Sequence, residues 1–139
     1  MRRFIPVAFA LMLIAVACDN SGSDSSSTTS PSVPITTETF TGTVPVGGSD
    51  FKSFTVAQSG TVNVTLSAAG PPPTITMGLG VGTPSSTACA LLSGGSTQTP
   101  AGTAPHLTGS LTPGPYCVLV GHIGNQLAPV DYTVTVAHP

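Results

Sequence analysis

Charge is what this sequence lacks. Of 139 residues only 6% are charged, and Trp is absent. Lys and Arg together number 3, and two of them, Arg2 and Arg3, stand at the extreme N-terminus. Without them Lys52 faces the acids Asp19, Asp24, Glu38, Asp50 and Asp131 alone. A nucleic-acid binder needs a basic face and a coiled coil needs charged heptads, so both classes are excluded. A chain body with no Arg and one Lys also has little to hold phosphates with. What is abundant is Gly (16), Pro (14) and a hydrophobic fraction of 40%. The length accommodates one domain together with a targeting segment and a linker.

Residues 1–17 read as an export signal. Arg2 and Arg3 form a positive start and residues 4–16 an apolar run. That run is shorter than the roughly 20 residues of a membrane-spanning helix. Ala15 and Ala17 place small residues before a cut, and Cys18 follows. Ordinary signal peptidase would cleave there. The segment also resembles a bacterial lipobox, with Ala15 where Leu is usual, and the resemblance implies that Cys18 is acylated and anchors the protein to a membrane. Two features favour the lipid. A polar tail follows at once, as a tether should, and removing Cys18 from the three cysteines leaves an even pair, whereas an unmodified Cys18 would be an odd exposed thiol in an oxidising compartment. Residues 18–34 then run through Ser, Thr, Asp and Gly with Val33 as the one aliphatic side chain. Such a stretch cannot bury enough surface to offset its ordering entropy and reads as a flexible tether.

From residue 35 onward the pattern is short alternating runs split by Gly and Pro. Phe40, Gly42 and Val44 share one face, and Phe54 and Val56 another. Phe51 is out of phase with that pair, which predicts a bulge or a late strand start. Residues 61–68 alternate with Val62, Val64, Leu66 and Ala68 inward. Ile75, Met77, Leu79 and Val81 continue the inner surface, as do Tyr116, Val118 and Val120, and finally Val130, Tyr132, Val134 and Val136. Residues 88–92 and 106–111 read as further short strands, and 93–105 as a long variable segment. No stretch beyond the signal has a helical period. About eight short strands predict an all-β, antiparallel sandwich, jelly-roll-like, over residues 35–139. In an exported chain Cys89 and Cys117 form a disulfide by default, because the further soft ligands of a metal site are missing.

The order of several short motifs is also informative. Ser49-Asp50-Phe51-Lys52-Ser53-Phe54-Thr55-Val56 precedes Gly60-Thr61-Val62-Asn63-Val64-Thr65-Leu66. Later come Leu111-Thr112-Pro113-Gly114-Pro115-Tyr116-Cys117-Val118-Leu119-Val120 and Asp131-Tyr132-Thr133-Val134-Thr135-Val136. In this order they resemble the bacterial pre-peptidase C-terminal domain over residues 38–136. The resemblance implies a jelly-roll-like sandwich and an accessory role beside exported peptidases. No peptidase accompanies the domain here.

Catalytic chemistry finds few candidates. There is no Gly-x-Ser-x-Gly elbow, His-Glu-x-x-His or P-loop. Gly78, Gly80 and Gly82 imitate a nucleotide loop without its helix, and read instead as close packing on one strand face. His106, His122 and His138 lack ligand spacing and read as surface or rim residues. Calcium needs six to eight oxygen ligands, and Asp50 is the best single contributor to such a site. Sugar binding needs exposed rings, and Phe51 alone is out of core phase. The expectation is therefore a non-enzymatic module of the cell envelope, without catalytic residue, cofactor or metal. Its partner is an envelope protein or, in the alternative, a carbohydrate or peptidoglycan. Asp50 and Phe51 are the candidate binding residues, with the loops 93–105 and 122–129 as further contacts.

Overall fold

Alternation makes the strands and turn residues end them. The computed structural model describes residues 31–139. They form β1 (Thr36–Val44), β2 (Ser49–Val56), β3 (Gly60–Gly70), β4 (Met77–Ser85), β5 (Ala88–Thr99), β6 (Leu107–Leu111), β7 (Gly114–Gly121) and β8 (Val130–His138). Cys18, the signal segment and the tether up to residue 30 lie outside the described residues.

Two four-stranded sheets result, ordered β1-β8-β3-β6 and β2-β7-β4-β5. All neighbours within them are antiparallel. Each connection passes from one sheet to the other except the β4–β5 hairpin. That is the jelly-roll wrap, in which hairpin-like pairs fold over to become opposing sheets. Three crossovers are tied together at one end. The His122 backbone N–H donates to the Gly48 carbonyl (2.9 Å), and the Asn125 side chain to the Thr76 carbonyl (2.9 Å). At the opposite end the Pro139 carbonyl accepts from Ala57 N–H (3.0 Å).

The core lies between the sheets. Val44, Leu66, Met77, Val120, Val134 and Val136 are all 0% exposed. Each buried Val or Leu contributes about 1.5–3 kcal/mol relative to exposure. With only 6% of its residues charged, the chain must draw most of its stability from burial. The sandwich expected from the alternation is therefore present, with the expected residues forming the inner faces of six of the eight strands, Ala68 of β3 excepted.

Three local expectations change. β2 pairs with β7 without a register shift, so Phe51 is neither in a bulge nor before the strand. It belongs to the outward phase of a regular strand. The bulge instead lies in β3, between Leu66 and Ala68, and it turns Ala68 outward while Ala69 becomes buried. Finally, the variable segment expected at 93–105 is largely strand, because β5 runs on to Thr99. The glycines and serines there concealed the strand. Across from Val81 the residues 92–95 swell out of the β4–β5 ladder, with Gly94 at φ 71°.

Cys89 and Cys117 are bonded, with Cα atoms 5.9 Å apart. They join β5 to β7, although β4 stands between these strands in the sheet. Gly82 makes the approach feasible, since a side chain there would collide with the Ala90 carbonyl of β5. The bond closes a sequence separation of 28, for which chain entropy gives about 3–4 kcal/mol. Cys117→Ser, or reduction of the wild type, is expected to lower the unfolding free energy by about 3 kcal/mol. Urea unfolding with and without dithiothreitol measures this, and an unchanged midpoint would refute it.

Candidate functional site

A sandwich has two open edges, and this one closes the β1–β2 edge with polar side chains. Asp50 and Lys52 share the inward phase of Phe54 and Val56, where apolar residues are the rule. Asp50 reaches across to the other sheet and accepts a hydrogen bond from the Tyr132 hydroxyl of β8 (2.7 Å). Lys52 Nζ lies 3.2 Å from the same carboxylate oxygen. Gly42 of β1 makes room, because a Cβ there would overlap the Asp50 carboxylate and the Tyr132 ring. Further along the edge His138 Nε2 is 2.8 Å from Glu38 Oε1, and its ring packs 5.4 Å from that of Phe54.

These contacts settle what the polar groups do. The Tyr132 phenol is pushed well above its ordinary pKa by burial first, then by the hydrogen bond to Asp50 and its charge. It therefore stays protonated and donates. Asp50 Oδ2 meets both a donor and a cation, so the carboxylate ties the two sheets together. His138 is only 4% exposed, which corrects the rim placement expected from its position near the chain end. The β8 alternation simply continues two residues beyond Val136.

The other histidines lie elsewhere. His106 Nδ1 accepts the Leu66 backbone N–H at the β3 bulge (3.1 Å). The His122 ring lies 3.2 Å from the backbone nitrogens of Gly124 and Gln126 in the β7–β8 loop. Among the described residues no three or more His, Cys, Asp or Glu gather into a metal-holding group. Asp131 is on the outer face of β8, as its phase implied, and accepts from Thr43 (2.6 Å). Gly80 and Gly82 are close-packed positions in β4, under Leu91 and the Ala90 backbone.

The outer faces of the two sheets differ in chemistry. On the β1-β8-β3-β6 sheet, Thr39, Thr135 and Thr65 stand side by side across three strands. Thr41 faces Thr133 in the next row. On the other sheet, Phe51 is directly opposite Leu119, and Leu119 is opposite Gly80. Leu91, 46% exposed, lies over that glycine. The result is an apolar strip across β2, β7 and β4. Beside it a shallow trough of about 330 Å³ is bordered by Leu91, Leu119, Gln98 and Ile123. Phe51 thus has neighbours that were not singled out from the sequence. Leu119 was recoverable, since it alternates against Val118 and Val120. Leu91 was not, because only the fold of β5 over Gly80 brings it there.

No family model, curated protein or solved structure matches this chain. The argument for function therefore rests on the surfaces themselves.

The Asp50–Tyr132 tie has a measurable consequence. A phenol whose pKa is raised by folding contributes stability below its unfolded pKa, near 10, and loses it as pH rises beyond. Tyr132→Phe is expected to cost about 1.5 kcal/mol at neutral pH. This is the low end for a charged acceptor, because Asp50 is 28% exposed. The variant should also lose less stability than the wild type between about pH 9 and 11. Denaturant unfolding across that range checks both, and identical pH profiles would remove the tie from the account.

Proposed function

We propose that the protein is a non-enzymatic interaction module of the bacterial cell envelope, and that its contact surface is the outer face of the β2-β7-β4-β5 sheet. One observation carries this reading. Phe51 stands outward in an apolar strip with Leu119 and Leu91, beside a trough whose rim includes Gln98. Cross-strand aromatic–aliphatic pairs stabilise sheets modestly, but outward placement also exposes apolar surface. Exposed apolar strips rimmed by polar groups are features of interaction sites. The nearly uncharged surface suits a partner recognised by shape and apolar contact rather than by charge. An exported protein is the partner of that chemistry. The resemblance to the pre-peptidase C-terminal domain supports the same accessory role, and acylation of Cys18 would hold the module at the membrane.

The second reading is a carbohydrate- or peptidoglycan-binding module. The threonine rows of the opposite sheet favour it, because ranked hydroxyls without charge match a neutral polyol. The two readings use different faces. Phe51→Ala is expected to weaken capture of an envelope protein by about tenfold or more, as for a central aromatic contact, while leaving the melting temperature nearly unchanged. Capture of an identified exported protein that is insensitive to Phe51→Ala overturns the face assignment. Saturable retention on cell-wall polysaccharide, lost in Thr39→Val with Thr135→Val and retained in Phe51→Ala, replaces the first reading with the second. The anchor is checked separately. Cys18→Ser should move the protein from the membrane to the soluble fraction and abolish incorporation of labelled palmitate.

A further inference from the structure

The other open edge of the sandwich, between β5 and β6, is closed quite differently. In β6 the inward phase reads Leu107, Gly109, Leu111, in register with Val64, Val62 and Gly60 of β3. The two leucines pack partly against the core. Between them Gly109 leaves a gap, and a Cβ added there would meet nothing within 4 Å. Its backbone φ is ordinary, so neither a turn nor a close approach requires glycine at this position. On the facing sheet, β5 swells away from β4 at residues 92–95 and so does not close over the gap.

The space left is a cleft of about 180 Å³. Val62, Val64, Val81, Leu92, Leu107 and Leu111 line it, with residues 93–95 and 108–110 on its border. Val62, Val64 and Val81 are core residues exposed by 7% or less, so the cleft opens directly onto the hydrophobic interior. None of its lining side chains is ionisable or aromatic. An apolar cavity of roughly 150 Å³ stays dry and accepts a six-carbon hydrocarbon.

We propose that this cleft is a binding site for the end of an uncharged aliphatic chain of about six carbons. The walls select the chemistry. A charged head inserted here would be unpaired, whereas an apolar chain end replaces the contacts that Gly109 omits. A polar head would remain outside, beside the exposed residues 93–94 and 108–110 that border the cleft. This site lies on a different edge from the proposed protein-binding face and does not depend on it. The chain end belongs either to a soluble aliphatic molecule or to a membrane lipid.

Titration of the purified protein with 1-butanol through 1-octanol, read on the side-chain methyl resonances, tests the proposal. Saturable shifts are expected at Val62, Val64, Val81 and Leu92. Affinity should rise about fourfold per added methylene and level off near six carbons. Gly109→Leu, which fills the cleft, should abolish the shifts without lowering the melting temperature. Absence of saturable shifts in the wild type, or affinity that keeps rising through eight carbons, overturns the site, and neither result depends on a variant folding. Shifts that persist undiminished in folded Gly109→Leu overturn it too. If that variant does not fold, Gly109→Ala, whose methyl touches nothing, should still weaken hexanol binding severalfold, and unchanged binding there overturns the site. Phosphatidylcholine vesicles distinguish the source. Vesicle binding lost in the Gly109 variant assigns the chain end to lipid, and hexanol binding without vesicle binding assigns it to a soluble ligand.

Discussion

Every strand here must present an apolar face to the opposite sheet, because the chain has almost no charges with which to hold itself together. Valine dominates the inner positions, and it is stiff, β-favouring and fully buried in most of them. This single demand sets the strand phases, and the phases then decide which residues reach the two outer faces. The disulfide adds to burial rather than replacing it. It fastens the β4–β5 hairpin to β7, at the corner where that hairpin folds over Gly82.

A two-sheet core leaves two edges, and the chain treats them in opposite ways. At the β1–β2 edge, carboxylates occupy inward positions and are matched by a phenol, a lysine and a histidine. Burying such groups costs free energy unless each finds a partner, and here Tyr132 comes from the facing sheet, His138 from the neighbouring strand and Lys52 from Asp50's own strand. At the β5–β6 edge there is neither a tie nor a filling side chain. Gly109 and the swelling at 92–95 leave the core accessible from outside. One edge is thus sealed by paired polar groups, and the other is open and apolar.

Two of the titratable residues most attractive for chemistry are therefore absorbed by architecture. Asp50 ties the sheets and His138 packs under Phe54. The outer faces carry mainly uncharged groups: a phenyl ring and leucines on one, and threonine hydroxyls beside Asp131 on the other. Such surfaces recognise partners through shape and desolvation, with little help from long-range steering.

Period-two alternation carried the strand phases, the sandwich and the outward position of Phe51 in the linear order of residues, because a side chain's face in a strand depends only on parity. The cysteine count, together with the export signal expected of residues 1–17, likewise pointed to the Cys89–Cys117 pairing. The tertiary structure decided what parity cannot express. A bulge shifts parity without a sequence mark, so Ala68 and Ala69 exchange faces. A glycine- and serine-rich stretch pairs as β5 because β4 lies beside it. Asp50 became a sheet-to-sheet tie only through its meeting with Tyr132, 82 residues further along the chain. The cleft beside Gly109 exists only because β5 and β6, from opposite sheets, form an edge that neither strand closes.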